Sequence, residues 1–254
     1  MSLAEFGGSE VVLRDSPAES ARFGLRIDRL VVPERAPLDA VRGVLAGSDA
    51  DVVIARYPAA RLETARILWA AGRTTIPAGT LMYWRADPGG TVRPGPDARF
   101  STGGVTAGDE QTVADLIARA FAGYRNHYAA DPLLDPAHAA TGYVEWATTT
   151  ALAGDATTVL REGGEAIGIA TVTARDDEWE IELAGIVPEH QGRGRYAHLL
   201  DGVHRRAVEA GARSVVISTQ ASHSGVQRAW ARAGYLPVGA VETVHLVRSA
   251  LLRS

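Results

Sequence analysis

The sequence predicts an α/β fold of the mixed (α+β) type, in which helices flank a sheet whose strands are mostly antiparallel. Two observations predict this class. Three strand-like segments follow one another between residues 157 and 187 with only short turns between them, which indicates an antiparallel meander. Elsewhere along the chain, segments with helical spacing alternate with strand-like segments.

A stretch rich in glycine, proline and polar residues at 87–104 separates two patterned parts, as expected for a linker. We therefore expect a smaller α/β domain at 1–86, the linker at 87–104 and a larger domain at 105–254. In the smaller domain, the alternation of Phe23, Leu25 and Ile27 indicates a strand. Its other expected elements are helices at Leu38–Leu45 and Arg61–Ala71 and strands at Asp51–Tyr57 and Gly79–Arg85.

The larger domain is expected to begin with a helix that Asp109 caps and whose apolar face includes Val113, Leu116 and Ile117. Its other expected elements are strands at Thr157–Arg161, Glu165–Arg175, Glu178–Val187, Ser214–Thr219 and Val241–Val247, and helices at Arg195–Ala210 and Gly225–Ala233.

The composition excludes several functional classes. The absence of cysteine excludes disulfides, thiolate nucleophiles and cysteine-based zinc sites. The net charge of −4 argues against general binding of nucleic acid, and no apolar run has the length of a membrane span. Because the histidines lack metal-ligand spacing such as HExxH, we expect no metal. We expect a cytoplasmic protein that acts on a small molecule, and we leave a homodimer open.

The most informative segment is a glycine-rich turn, residues 191–194, which follows a strand and opens a helix. Successive backbone N–H groups and the positive end of a helix dipole bind phosphate oxygens. Gly192-x-Gly194-x-x-Ala197 also fits a dinucleotide-binding fingerprint, but the preceding strands are antiparallel and the next strand ends without an acidic residue. A plain surface turn is the remaining alternative.

The segment Gln191-Gly192-Arg193-Gly194, with Val187-Pro188 before it and an amphipathic helix after it, resembles the GNAT superfamily of acetyltransferases over about 104–248. The resemblance implies that acetyl-CoA is the co-substrate. Tyr196 departs from the family signature, which has a small residue there. The donor-binding residues that the resemblance implies are Gly185, Ile186, Val187, Gln191, Gly192, Arg193, Gly194, Arg195, Tyr196 and Trp230. The first half resembles nucleotide-sugar N-acetyltransferases that modify dTDP-fucosamine, which implies a GNAT-like N-terminal domain and an amino-sugar substrate.

Amide formation needs a base, because the attacking amine must lose a proton. Glu180 lies on the strand before the turn, where several family members place a catalytic glutamate. Alternation puts Glu182 on the same face, opposite Ile181 and Leu183. Either carboxylate is a candidate base, and the alternative is that both lie on a solvated face.

The leaving thiolate would benefit from a proton donor. Many family members use a tyrosine at the position that Trp230 occupies here, and an indole cannot act as an acid. His223 replaces an asparagine that the family often has, which leaves His223, Ser222, Tyr235 or solvent as the donor.

The loop after the first helix of the larger domain is where family members shape the acceptor pocket. His127, Tyr128 and Asp131 are therefore candidate substrate-binding residues, although turn formation by Asp131-Pro132 explains the same pattern. Tyr143, Glu145, Trp146 and His245 are further candidates for pocket walls, with core packing as the default.

The sequence therefore predicts an N-acyltransferase that moves an acetyl group from acetyl-CoA to the primary amine of a small polar metabolite, such as an amino sugar or a natural-product intermediate. One alternative is an enzyme of the same fold whose donor is an acyl carrier protein or an aminoacyl-tRNA. Another is a non-catalytic module that binds acyl-CoA.

Overall fold

The computed structural model describes residues 2–91, 93–106, 108–124, 126–153, 156–175 and 177–252. The chain forms two compact units, and each combines segments that are distant in sequence. The first unit comprises Met1–Tyr83, Arg125–Ala139 and Gly239–Ser254, and the second comprises Trp84–Tyr124 and Ala140–Val238. The predicted domain ranges 1–86, 87–104 and 105–254 stay a prediction.

The first unit is a mixed sheet with short helices. Its strands are β1 (Val12–Asp15), β2 (Ile27–Val31), β3 (Val52–Pro58), most of β4 (Thr74–Ala86) and the end of β10 (Leu236–Val247), and its helices are α1 (Pro17–Phe23), α2 (Leu38–Gly47) and α3 (Leu62–Trp69). β1 pairs antiparallel with β2, β2 parallel with β3, and β3 antiparallel with β10. Apolar residues of α2, α3 and these strands form a buried core that includes Leu30, Val41 and Leu68.

The strand predicted from Phe23, Leu25 and Ile27 is wrong in its first part. Phe23 ends α1, and Gly24 then adopts the left-handed conformation that closes the helix. The alternation therefore spans a helix end, a turn and a strand start, and β2 begins only at Ile27.

The second unit contains β5 (Phe100–Gly103), β6 (Thr158–Glu162), β7 (Glu165–Arg175), β8 (Glu178–Ile186) and β9 (Ser214–Gln220). β5 to β8 pair antiparallel in sequence order, which confirms the predicted meander, and β9 pairs parallel with β8. The helices are α4 (Glu110–Ala120), α5 (Pro136–Ala153), which starts in the first unit, α6 (Arg195–Glu209) and α7 (Ser224–Arg232). The apolar faces of α4 and α6 pack on this sheet, with Leu116, Ile117 and Leu199 fully buried.

The predicted fold class is confirmed, because helices pack on mixed sheets in which most strand pairs are antiparallel. Four of these strands and helices were not predicted: β1, α1, β5, which lies inside the predicted linker, and the 18-residue helix α5. Within the described ranges, every helix is too short or too polar to cross a bilayer.

Candidate active site

The candidate active site lies in the second unit, where β8 and β9 separate. Beyond the pair Ile181–Ile217, β8 continues to Ile186 and β9 to Gln220, and the described residues show no further pairing between them. A cavity of about 950 Å³ opens at this gap. Small-molecule sites typically occupy roughly 300 to 1,000 Å³, so the gap has room for a large cofactor-sized ligand.

The glycine-rich turn forms one end of this cavity. Gly192 and Gly194 have φ angles of 76° and 78°, a left-handed conformation in which a side chain is strained. A Cβ atom added to either would meet no atom within 4 Å, so the backbone is open to close approach. Helix α6 begins directly afterwards at Arg195, and its first turn, which is fully described, contains no acidic residue. This arrangement suits an anionic group such as phosphate.

Hydrogen bonds to two strands, β6 and β8, hold the turn in place. Gln191 Nε2 donates to the backbone oxygen of Ile186 at 2.8 Å, which ties the turn to the end of β8. Arg195 Nε donates to Glu162 Oε2 at 2.6 Å, and His190 Nδ1 lies 3.1 Å from the same oxygen. The hydrogen bond from Arg195 holds the pKa of Glu162 below its usual value, so this anchor stays charged.

Four rings, Phe121, Tyr124, Tyr143 and His223, form another part of the wall, which we call the aromatic end. Tyr124 stacks on Tyr143 with ring centroids 5.2 Å apart, and Phe121 contacts both rings at 6.0 Å and 5.8 Å. The His223 ring lies 5.5 Å from Tyr124, and its Nδ1 lies 3.0 Å from Thr219 Oγ1. The aromatic end thus presents ring faces, a phenol and an imidazole to one ligand volume.

Glu182 supplies the carboxylate that lines the cavity. The register between β7 and β8 shifts here, so Glu182 is an extra residue of a β-bulge between Ile181 and Leu183. Its Oε1 accepts a hydrogen bond from Thr173 Oγ1 at 3.1 Å. Burial, the neighbouring Tyr124 and Glu182 together raise the pKa of Tyr143 well above its usual value, so that phenol stays neutral.

Glu180 has a different environment. It is 4% exposed, and the described lining of the cavity includes Glu182 but not Glu180. Glu180 pairs with Thr173, and Leu183 pairs with Thr171, so Glu180 and Leu183 share a face. The expectation that Leu183 lies opposite the carboxylates is therefore wrong, because the bulge resets the alternation.

Gly185 lets α4 approach the sheet closely. A Cβ atom at this position would lie 2.7 Å from the Phe121 ring, a distance that no real contact tolerates. The absence of a side chain at Gly185 therefore sets the position of Phe121 and with it one wall of the aromatic end.

Tyr196 and Trp230 form a further part of the lining. The indole Nε1 of Trp230 donates to the phenol oxygen of Tyr196 at 3.0 Å. Trp230 is 1% exposed and contacts Trp84 edge-on at 6.2 Å, so its position is fixed by packing.

The structure brings most of the predicted donor-binding residues together. Those that line the cavity are Gly185, Ile186, Gln191, Gly192, Gly194, Arg195, Tyr196 and Trp230. Val187 is buried and bonded to β7 through its backbone, and Arg193 is exposed on the turn. Their roles in binding stay predictions, as do the catalytic roles of Glu180, Glu182 and His223.

The predicted acceptor-binding residues His127, Tyr128 and Asp131 lie in the first unit, where all three are buried. His245 Nδ1 lies 2.9 Å from Asp131 Oδ2, and its Nε2 lies 3.0 Å from His127 Nδ1. The Tyr128 hydroxyl donates to Glu19. Their part in acceptor binding stays a prediction.

Sequence patterns missed several lining residues. Phe121 and Tyr124 follow the end of α4, and Arg93 belongs to the predicted linker. No local motif marks them, and of the four rings of the aromatic end the sequence named only Tyr143 as a candidate pocket wall. Over the residues that the structure describes, no group of three or more His, Asp or Glu side chains is arranged to hold a metal.

Residues 118–235 match the sequence model of the Acetyltransferase (GNAT) family, and this range contains the turn, all four rings of the aromatic end and Trp230. No curated protein shows significant sequence similarity to the chain.

Solved structures share the fold at low sequence identity. A GCN5-related N-acetyltransferase from Sphaerobacter thermophilus matches 93% of this chain and 76% of its own with a TM-score of 0.64 and 14% identity. One from Kribbella flavida matches 94% of this chain and 90% of its own with a TM-score of 0.59 and 19% identity.

A GCN5-related glucosamine N-acetyltransferase region of a fungal multi-domain GH3 β-N-acetylglucosaminidase matches 93% of this chain and 31% of its own, with a TM-score of 0.62 and 10% identity. Over residues 118–235 the chain is therefore similar to the GNAT acetyltransferases, which supports an acyltransferase enzyme of that type, and the solved structures show that the chain shares their fold.

Proposed function

We propose that the chain is a cytoplasmic N-acyltransferase that transfers an acetyl group from acetyl-CoA to the primary amine of a small polar metabolite. One observation carries the proposal: a phosphate-binding type of turn and a carboxylate line the same 950 Å³ cavity. The turn suits the phosphates of the donor, and the carboxylate suits an amine that must lose a proton.

The donor fits the residues at the turn. Gly192 and Gly194 leave the backbone open, and Arg195 and the positive end of α6 lie beside it. Phosphate oxygens would accept hydrogen bonds from the N–H groups of this turn. The pantetheine arm would then lie in the gap between β8 and β9, which has apolar side chains such as Ile181 and Ile217 on its two sides.

Ile186 is the residue whose backbone N–H would polarise the thioester carbonyl. The N–H of Val187 bonds to Ile167 in β7, and backbone groups of neighbouring residues in a strand point to opposite edges. The N–H of Ile186 therefore points to the edge of β8 that borders the gap. A donor placed there stabilises the oxyanion that forms when the amine attacks, and losing such a donor typically costs roughly 100-fold to 1,000-fold in rate.

Glu182 is the base in this proposal, directly or through a water molecule. It lines the cavity beside the aromatic end, and its bond to Thr173 holds one carboxylate oxygen in place. Glu180 remains the alternative base, because it precedes Glu182 on the same strand.

The acceptor is a cationic amine in its resting form. The carboxylate of Glu182 attracts the ammonium group, and the faces of Tyr124 and Tyr143 favour a cation or a sugar ring beside them. An amino sugar or an amine intermediate of a natural product has both features. The glucosamine N-acetyltransferase region described above shares the fold, which is compatible with this class.

The experiment is a coupled measurement of free thiol and product mass, with acetyl-CoA and a panel of amines that includes nucleotide-linked amino sugars. We expect thiol release only with an amine, together with a product heavier by one acetyl group. Glu182→Gln should suppress turnover. Glu178→Gln is the matched control, because Glu178 lies on the same strand and pairs with Arg85 outside the described cavity lining.

Binding of acetyl-CoA without turnover of any amine would contradict the proposal and favour a non-catalytic module. Turnover only with an acyl group on a carrier protein or a tRNA would contradict acetyl-CoA as the donor.

A further inference from the structure

The bond between Trp230 and Tyr196 leaves the phenol proton of Tyr196 without an acceptor among the residues that the structure describes. An indole N–H can only donate, so the phenol oxygen of Tyr196 is the acceptor of the 3.0 Å bond. The proton of that phenol must point elsewhere. Among the described residues, the phenol of Tyr196 has Trp230 as its hydrogen-bond partner. Both side chains line the cavity.

Tyr196 lines the same cavity as the turn and the carboxylate of Glu182. It is the second residue of α6, two positions after the end of the glycine-rich turn at Gly194, while Trp230 belongs to α7. A thioester that fills this cavity, with its phosphates on the turn and its acyl group facing Glu182, would have the phenol in its wall. Its sulfur atom is bonded to the acyl carbon and so lies at the acyl end of the donor.

The phenol is also kept in its protonated form. Burial raises the pKa of Tyr196 to about 12, although the hydrogen bond from Trp230 works in the opposite direction. At neutral pH the group can therefore give a proton but does not compete with Glu182 as a base.

We propose that Tyr196 is the acid that protonates the departing thiolate, and that Trp230 is the positioning residue that holds its phenol. This inference rests on the proposed acyl transfer. The ammonium group first loses one proton to solvent. The neutral amine nitrogen then bonds to the carbonyl carbon, and Glu182 takes the second proton from nitrogen. The carbon–sulfur bond then breaks, its electron pair goes to sulfur, and the Tyr196 proton completes the thiol. Solvent returns a proton to Tyr196 and removes the proton from Glu182, so the cycle balances.

The test compares two donors of the same shape, acetyl-CoA and its selenium analogue. A selenol is a much stronger acid than a thiol, so the selenolate leaves without a proton donor. Tyr196→Phe keeps the ring and removes the acid. We expect this variant to lose about 100-fold in kcat with acetyl-CoA, the typical size of a general-acid contribution, and only several-fold with the selenoester.

Two further variants separate chemistry from packing. Trp230→Phe keeps a buried ring but removes the N–H, so we expect a smaller loss that again depends on the donor. Tyr235→Phe removes a different buried phenol, which bonds to His204 and contacts Trp230 at 6.5 Å. Any loss in that variant should be equal for both donors.

Equal losses of Tyr196→Phe with both donors would overturn the inference and leave the acyl transfer standing. A donor-dependent loss in His223→Gln, with none in Tyr196→Phe, would assign the acid to His223 instead. A wild-type chain that releases no CoA with any amine would remove the proposed function, and this inference with it.

Discussion

Both units place polar and ionisable side chains among apolar residues. In the first unit these side chains bond to one another, whereas in the second unit they border a cavity. In the first unit, Asp131 and His245 have side chains with 0% exposure and are bonded to each other, and His245 also contacts His127. In the second unit, Glu182 and His223 border a cavity of about 950 Å³. The first arrangement is closed by protein partners, and the second leaves room for a ligand.

The same contrast appears in the charged residues of the first unit. Arg29 donates to Glu19 at 2.6 Å and to the Tyr128 hydroxyl at 2.9 Å. Burial opposes the charge of Glu19, but the bonds and charge of Arg29 outweigh it and hold the pKa of Glu19 below its usual value. Groups satisfied in this way stabilise a fold, whereas groups that border a cavity are available for chemistry. The comparison predicts that mutations of the bonded groups in the first unit lower the free energy of unfolding, whereas mutations of the cavity-lining groups in the second unit change kcat or KM.

The largest expected effect is on the rate. Glu182→Gln should lower kcat about 1,000-fold, equivalent to about 4 kcal/mol, because removal of a general base typically costs 100-fold to 10,000-fold. Steady-state kinetics with acetyl-CoA and an accepted amine would measure it. Glu180→Gln, made in parallel, should change kcat much less. A larger loss of kcat in Glu180→Gln than in Glu182→Gln would assign the base to Glu180. It would also contradict the expectation that the carboxylate lining the cavity, and not the buried one, does the chemistry.

Removal of a buried partner in the first unit should affect stability. Asp131→Ala leaves the buried Nδ1 of His245 without its partner, and we expect a loss of about 3 kcal/mol in the free energy of unfolding. Urea unfolding would measure it. Asp39→Ala is the control, because its ion pair with Arg42 is exposed, and it should change stability by less than about 0.5 kcal/mol. An increase in KM for the amine in Asp131→Ala would instead support the predicted acceptor-binding role.

Acidification should weaken the second unit through His204. Burial and, to a smaller extent, the charge of Arg93 lower the pKa of His204 to about 4, so the unfolded chain takes up the proton first as the pH falls. Stability is therefore complete above pH of about 6.5 and declines down to pH of about 4, at about 1.4 kcal/mol for each pH unit. His204→Gln should show a shallower decline in urea unfolding over this window. An unchanged slope would show that His204 is not neutral in the folded chain.

The smallest effect is expected at the turn. Gly194→Ala places a side chain at a φ of 78°, which costs about 1 kcal/mol. We expect KM for acetyl-CoA to rise several-fold while kcat stays nearly constant. Gly163→Ala is the matched control, because Gly163 has a φ of 58° in the turn between β6 and β7. It should reduce stability in the same way but leave KM unchanged.

The elements that the sequence predicted correctly are those whose structure depends on residues close together in the chain. The turn with Gly192 and Gly194, the helix that follows it and the meander of β6 to β8 were predicted, because glycine spacing and alternation mark them directly. Helix α5 was not predicted, because its Ala-rich and Thr-rich sequence has no continuous apolar stripe.

The aromatic end could not be predicted as a group. Phe121 and Tyr124 come from the end of α4, Tyr143 from α5 and His223 from the start of α7, so only the fold brings them together. The bulge at Glu182 was equally hidden, since a shift of one residue in register depends on both strands. The sequence named Glu182, but only the structure separates it from Glu180.

The path of β10 has a consequence for synthesis of the protein. Its residues Val241–Val247 pair with β3 at Val52–Pro58, so that strands almost two hundred residues apart in sequence must meet. While the ribosome is still translating the second unit, β3 lacks this neighbour, and the edge that β10 will cover stays unpaired. The first unit therefore completes its sheet only after the second has been translated, although most of its residues are made first.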